Sequence, residues 1–200
     1  MKVIGIAGPT GSGKSTVARR LADRPGVACL DSDRLAWETY WPGGPAYSSL
    51  VAAFGRGILA SDGTVDRTRL ADVALASSQG RQTLERIVHP AVMAAVARAV
   101  EGHASKETKL LLVEGALLLA SPHVNRSLFD AFVWIAVPIG ERRRRLLEAG
   151  LDRETVEGRL EAQRDLAPPP DERVHILDGR GSPEDVACRA RALLDRIGNA

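Results

Sequence analysis

Gly8 is followed, after four intervening residues, by Gly13, Lys14 and Ser15, so the stretch GPTGSGKST carries the complete pattern G-x-x-x-x-G-K-[ST]. The residue types state the chemistry. Glycines let successive backbone N–H groups curl around phosphate oxygens with no Cβ in the way, and a helix opening directly behind such a loop turns its positive end toward the same anion. Gly8, Pro9, Thr10, Gly11, Ser12, Gly13, Lys14, Ser15 and Thr16 are therefore the candidate nucleotide-binding residues. In this pattern Lys14 reaches the β and γ phosphates of ATP and Ser15 offers its hydroxyl to Mg²⁺. The rest of the metal shell is expected from phosphate oxygens, water and an acidic residue elsewhere.

The flanking residues supply the elements such a loop needs. KVIGIA (residues 2–7) reads as a short apolar strand, and STVARRLA (residues 15–22) as a helix with Val17, Ala18 and Leu21 on one face. A second apolar run, VACL (27–30), ends in Asp31, Ser32 and Asp33. In an open parallel sheet ligands lie beyond the carboxyl ends of the strands, which puts both aspartates on the phosphate side. A kinase acting on a hydroxyl needs a carboxylate to orient it and accept its proton. Asp31 or Asp33 can serve, with the other aspartate or Ser32 capping the helix that begins near Arg34; we place Asp33 ahead as the base.

Composition bounds the alternatives. Two hundred residues suffice for one domain with its own core, or one core carrying an inserted subdomain. The net charge of +2 argues against a strongly basic nucleic-acid binder, and aromatic residues at 4% leave few platforms for stacking bases. The chain opens on a strand rather than a signal peptide, and no apolar run approaches the roughly 18 residues of a membrane span, so a cytoplasmic enzyme with no membrane partner is expected. Cys29 and Cys188 are expected to be buried thiols, and the four histidines and two cysteines show no metal-ligand spacing.

WPGGP (41–45) reads as a rigid turn, and from Ala46 to Gly102 the pattern is helical with a break at FGRGILASDGTVDR. That stretch is too long for a simple crossover and is expected to be a helical insertion supplying the acceptor-binding wall. Proline in His89-Pro90 suits the first turn of a new helix. KLLLV (109–113) is a third strand ending in Glu114, the expected second holder of the Mg²⁺ shell, directly or through water. FVWIAV (132–137) is a fourth, buried on both faces. The ERRRR run (141–145) after it is either a solvated helical face or the start of a lid whose arginines stabilise charge on the transferred phosphoryl group. A second lid helix follows over 148–163 with Asp152 as its cap; Pro168 to Pro170 then stop helix formation. VHIL (174–177) is a fifth strand, and Ser182-Pro183 opens a closing helix that runs to about Ile197.

Taken together, GPTGSGKST, LDSD, WPGGPA, FGRGILASDGTVDRTRL, LERIVHP, LEAQ and LDGRGSPEDV resemble the motifs of the dephospho-coenzyme A kinases. The resemblance covers most of the chain, and its specific part is the run from Phe54 to Leu70 followed by His89-Pro90. It implies an α/β fold, a three-layer P-loop NTPase with a parallel five-stranded sheet. The core would comprise residues 1–33, 106–140 and 172–200, the helical CoA-binding insertion about 34–105 and the lid about 141–171. It also implies transfer of the ATP γ-phosphoryl group to the ribose 3′-hydroxyl of dephospho-CoA by a monomer, with ATP and dephospho-CoA as its partners. On matching positions Asp33 would hold and deprotonate the acceptor hydroxyl, Lys14 and Ser15 would hold phosphates and metal, Arg67 and His89 would belong to the acceptor side, and Arg144 would be an arginine at the base of the lid. A VEGALLL segment (113–119) is also similar to uridine kinases, which keeps a nucleoside acceptor as an alternative, and a nucleotide-binding protein with little catalysis is another.

Several positions depart from the family pattern. Trp37 stands where an arginine is usual, four residues after the second aspartate. Glu114 to Ala120 replace a D-x-P-L-L-x-E segment, with Ala116 at its proline and Ala120 at its last glutamate. Glu148 occupies the place of a lid arginine, and Gly179 that of an asparagine.

Overall fold

The computed structural model describes residues 1–198 other than Leu117 and Ala120. The departure at Ala120 lies outside the described residues. The chain divides into two units, one of Met1–Asp31, His103–Ala120 and Arg126–Ala200, the other of Ser32–Gly102 and Ser121–Asn125.

In the first unit the five apolar runs form one sheet. β1 (Lys2–Ala7), β2 (Val27–Asp31), β3 (Leu110–Glu114), β4 (Ala131–Ala136) and β5 (Val174–Asp178) align in the order β2-β3-β1-β4-β5, with every pairing parallel. β1 is central and buried from Val3 onward, as a continuous apolar run on both faces requires. One face of the sheet, carrying Ile4, Ile6, Leu112, Val133, Ile135 and Leu177, packs against helices α1 (Lys14–Ala22) and α8 (Pro183–Gly198). α1 presents Val17, Ala18 and Leu21, the stripe its spacing predicts; α8 presents Val186, Ala187, Ala190, Leu193 and Leu194. Ser182 and Asp185 form a reciprocal capping box at the start of α8: Asp185 N–H donates to Ser182 Oγ at 3.2 Å, and Ser182 N–H to Asp185 Oδ2 at 3.1 Å. Helix α6 (Ile139–Glu148) and helix α7 (Arg153–Glu161) pack on each other through Leu146, Val156 and Leu160, and the Asp152 carboxylate caps α7 from Thr155 N–H at 2.9 Å.

The second unit is helical: α2 (Ser32–Thr39), α3 (Tyr47–Phe54), a 3-10 turn over Arg56–Ile58, α4 (Arg67–Leu75) and α5 (Ser78–Ala104), the last running on into the first unit. Asp62 and Gly63 turn the chain so that Leu59 bridges Val65, and Asp66 then caps α4 by accepting from Thr68 and Arg69 N–H.

Two expectations are corrected here. Pro90 does not open a helix, because α5 runs unbroken through it. Proline removes one intrahelical hydrogen bond and crowds the carbonyl four residues back, yet Val88, Val92, Met93 and Val96 are buried on either side of it, and burial of that stripe outweighs the local cost. Cys188 is exposed rather than buried, since it falls off the apolar stripe of α8; Cys29 is half-buried, and both thiols are free. Among the described residues no helix is long and apolar enough to cross a membrane.

Candidate active site

The loop joining β1 to α1 has a shape that only its glycines permit. Gly11 sits at φ +76°, and a Cβ there would lie 2.9 Å from the Arg142 backbone oxygen. Gly13 takes the left-handed conformation as the residue preceding α1, whose first turn has neither an acidic residue nor a side-chain cap. The first turn of α1 thus carries no acidic side chain of its own against the positive end of the helix, which is the electrostatic arrangement that suits an anion. Lys14 Nζ donates to the Pro9 carbonyl at 3.3 Å, and Ser12 N–H to the same oxygen at 3.1 Å, closing the bend. Ser12 is 1% exposed, and its Oγ has no hydrogen-bond partner among the described residues.

Helix α6 and the residues just past α7 rest on this loop through two contacts that sequence reasoning did not assign. Arg142, 7% exposed, donates from Nε to the Thr10 carbonyl at 3.0 Å, while its Nη2 is buried without a hydrogen-bond partner among the described residues. Gln163, just past α7, accepts from Thr10 N–H at 2.6 Å. The four consecutive arginines of α6 point four ways because 100° separates successive residues on a helix. Arg143 makes a bidentate pair with Glu157, tying α6 to α7. Arg144 turns outward, between Glu141 and Glu148, each at 2.6 Å. Arg145 reaches back to the Gly179 carbonyl at 2.9 Å and to Glu141 at 3.0 Å. Hydrogen bonds from Arg144, then from Arg145, hold the Glu141 carboxyl down at about 2. The residue at the lid-arginine position, Glu148, is therefore an ion-pair partner of Arg144.

Ser12, Gly13, Thr16, Arg144, Arg145 and Ser182 line a cavity of about 470 Å³ beside the loop, large enough for a nucleoside. Its far wall includes Gly181, two residues past Gly179. A Cβ at Gly179 would lie 2.5 Å from Val137 Cγ2 and 2.6 Å from Ile135 Cγ2, so β4 and the residue after it fill the space that a side chain at this position would need.

On the other side of β1 the strand tips carry acid. Glu114, 6% exposed, ends β3 in register with Ile6 of β1 and Asp31 of β2, and Gly115 N–H donates to the Ile6 carbonyl at 3.0 Å. The Cys29 thiol in β2 reports this environment: burial first, then the charges of Glu114 and Asp31, push it up to about 11. Among the described residues no group of three or more histidine, cysteine or acidic side chains is placed to hold a metal. The available donors are the Ser15 hydroxyl and the Glu114 and Asp31 carboxylates, a set that fits Mg²⁺, which keeps much of its octahedral shell as water and substrate phosphate. It does not fit a metal needing a full protein cage.

The acceptor-side candidates lie in the second unit. Asp33 is in the first turn of α2, and Trp37 is one turn further along the same face. The Arg67 guanidinium carbon lies 3.5 Å from the centre of the Trp37 ring. The Tyr40 phenol feels the same group: burial pushes its pKa up, Arg67 pulls it down and the Asp33 charge pushes it up again. His89 stands apart from that cluster in its contacts: its Nδ1 is 2.6 Å from Ser121 Oγ, and the His123 ring meets it edge-on with centroids 6.0 Å apart. Burial, chiefly, holds the imidazole below its ordinary range.

The dephospho-CoA kinase family model matches residues 2–176. The chain belongs to this family. It is 36% identical to the dephospho-CoA kinase of Geobacter sulfurreducens over 94% of this chain and 95% of that one. A crystal structure of TT1252 from Thermus thermophilus superposes with a TM-score of 0.74 at 30% identity, covering 98% of this chain and 97% of the other. Dephospho-CoA kinase from Campylobacter jejuni superposes at 0.64 over 100% and 98% of the two chains; at 18% identity that likeness carries the fold alone, the three-layer α/β arrangement of P-loop kinases. As a member of the dephospho-CoA kinase family the chain is a kinase, and the five strands read from its apolar runs form the parallel sheet that the resemblance implies.

Proposed function

We propose that the chain catalyses the ATP-dependent phosphorylation of the ribose 3′-hydroxyl of dephospho-CoA, giving CoA and ADP, the last step of coenzyme A biosynthesis. The observation that carries the reading is the loop itself: left-handed Gly11 and Gly13 lead into a helix whose N-cap is a glycine and whose first turn carries no acidic residue, in a chain matched by the family over most of its length. The triphosphate lies along the loop from Gly8 to Thr16, at the N-terminal end of α1. Lys14 exchanges the Pro9 carbonyl for the β and γ phosphate oxygens, and Arg144 and Arg145 border the cavity that takes the nucleoside. Asp33 accepts the proton of the 3′-hydroxyl as its oxygen bonds to the γ phosphorus, and the bond from that phosphorus to the β–γ bridging oxygen breaks to release ADP. Arg67 and His89 hold the acceptor. Ser15 and Glu114 would hold Mg²⁺, which neutralises charge on the β and γ phosphates when bound. The enzyme works as a cytoplasmic monomer.

A coupled ADP-release assay with dephospho-CoA, uridine, cytidine or no acceptor tests the reading. Turnover with dephospho-CoA alone is expected. Turnover with the nucleosides instead, or ATP binding with no turnover on any acceptor, refutes it.

A further inference from the structure

Trp37 is the departure whose physical consequence is most direct, because the arginine usual at that position would set a second positive charge against Arg67. In its place the indole offers Arg67 a face. At 3.5 Å from the ring centre the guanidinium carbon is at van der Waals contact, a separation that two planar groups reach only when they lie nearly parallel. Stacked in this way, a guanidinium spends its π-face on the indole and keeps the N–H donors around its edge for hydrogen bonds in its own plane. Tyr40, the neighbour that also feels Asp33, feels the Arg67 charge, which pulls its phenol down against burial. Tyr40 itself is buried, and the Trp37 ring is partly exposed. Arg67 is thus held against the indole of α2, the same element that carries Asp33.

We infer that Trp37 is a positioning residue for the phosphate-bearing acceptor: its indole holds the Arg67 guanidinium flat, with its N–H donors presented to an anionic oxygen of that acceptor. The inference rests on the acceptor-side reading of Arg67 given under Proposed function. Exchanging an arginine for tryptophan leaves the acceptor side with one cation fewer, and the remaining one is pre-oriented. Less side-chain entropy is then lost when the acceptor binds.

The test compares Trp37→Leu, Trp37→Phe, Arg67→Ala and the Trp37→Leu/Arg67→Ala double variant. Readouts are steady-state kinetics for each substrate and calorimetric binding of dephospho-CoA without ATP. Loss of a cation–π contact of this kind corresponds to between about twofold and thirtyfold. Trp37→Leu is expected to raise the KM and Kd for dephospho-CoA by that factor, leaving kcat within about twofold and the KM for ATP unchanged. Trp37→Phe, which keeps an aromatic face, should recover most of the loss and guards against a Leu variant that folds poorly. In the Arg67→Ala background the Trp37→Leu change should have no further effect. The inference is overturned if Trp37→Leu leaves acceptor affinity unaltered, or weakens it equally with and without Arg67. If Arg67→Ala itself leaves acceptor affinity intact, the acceptor-side reading of Arg67 falls and takes the inference with it. A wild-type enzyme inert on dephospho-CoA strikes the functional reading separately.

Discussion

Replacing Gly11 by alanine isolates what the contact between loop and lid is worth. Two costs arise. The first is conformational: Gly11 sits at φ +76°, where an L-residue loses about 1–2 kcal/mol. The second is steric, because the new Cβ would stand 2.9 Å from the Arg142 backbone oxygen and 3.1 Å from its Cβ, atoms of a helix that cannot swing aside as a side-chain tip can. Relief requires α6 to back away from the loop, which stretches the Arg142–Thr10 and Gln163–Thr10 hydrogen bonds of 3.0 and 2.6 Å. Losing the charged one costs about 1.5–3 kcal/mol and the neutral one about 0.5–1.5 kcal/mol. Gly150→Ala is the matched control: Gly150 has φ +87°, and nothing lies within 4 Å of a Cβ there, so only the conformational cost applies. Equilibrium urea unfolding should therefore show Gly11→Ala less stable than Gly150→Ala by about 2–4 kcal/mol. Calorimetry should show at least about a tenfold weaker ATP Kd for Gly11→Ala alone, the equivalent of roughly 1.4 kcal/mol of that difference. Equal unfolding free energies and equal ATP affinities for the two variants would refute the reasoning, since the lid would then not be seated on the loop.

Three further outcomes are expected. Asp33→Asn should cut kcat by about 10²- to 10⁴-fold, the range for loss of a general base, with ATP affinity nearly intact; full activity in the coupled assay sinks its assignment as the base. Lys14→Ala should weaken ATP binding by about 10- to 100-fold through loss of a charge-assisted hydrogen bond, read by calorimetry, and unchanged binding contradicts its role. His89 has a folded-state pKa below its ordinary value, so the folded protein binds fewer protons there than the unfolded chain. Its contribution is complete above the ordinary value of about 6.5 and is lost as pH falls below it. Thermal unfolding between pH 7.5 and 5.5 should show a smaller acid destabilisation in His89→Gln than in the wild type, and identical slopes refute the reading.

What was legible in the sequence was what is local. The phosphate loop was readable because its geometry is imposed by Gly8, Gly11 and Gly13 within a few residues, and the strands because each is a short apolar run, β1, β3 and β4 buried on both faces. Caps at Asp152 and Ser182 were equally local, depending on hydrogen bonds spanning three positions. The orientation of the four arginines of α6 was not legible, because it depends on the rotation of that helix about its axis when it settles on residues more than a hundred positions away. For the same reason the sequence named Gln163 only as part of a motif, and its partner at Thr10 emerged from the tertiary structure. Pro90 misled for the opposite reason: a strong local signal gave way to the burial of Val88, Val92 and Met93 around it.

The two peptide groups that meet at Thr10 are both held from the side of α6 and α7, the N–H of one by Gln163 and the carbonyl of the other by Arg142. That makes a single amide proton a reporter of lid docking. Its exchange with deuterium is retarded while α6 and α7 are seated and accelerates whenever they lift, so the frequency of lid opening can be followed at one resonance in the resting enzyme, with no label attached and no turnover required.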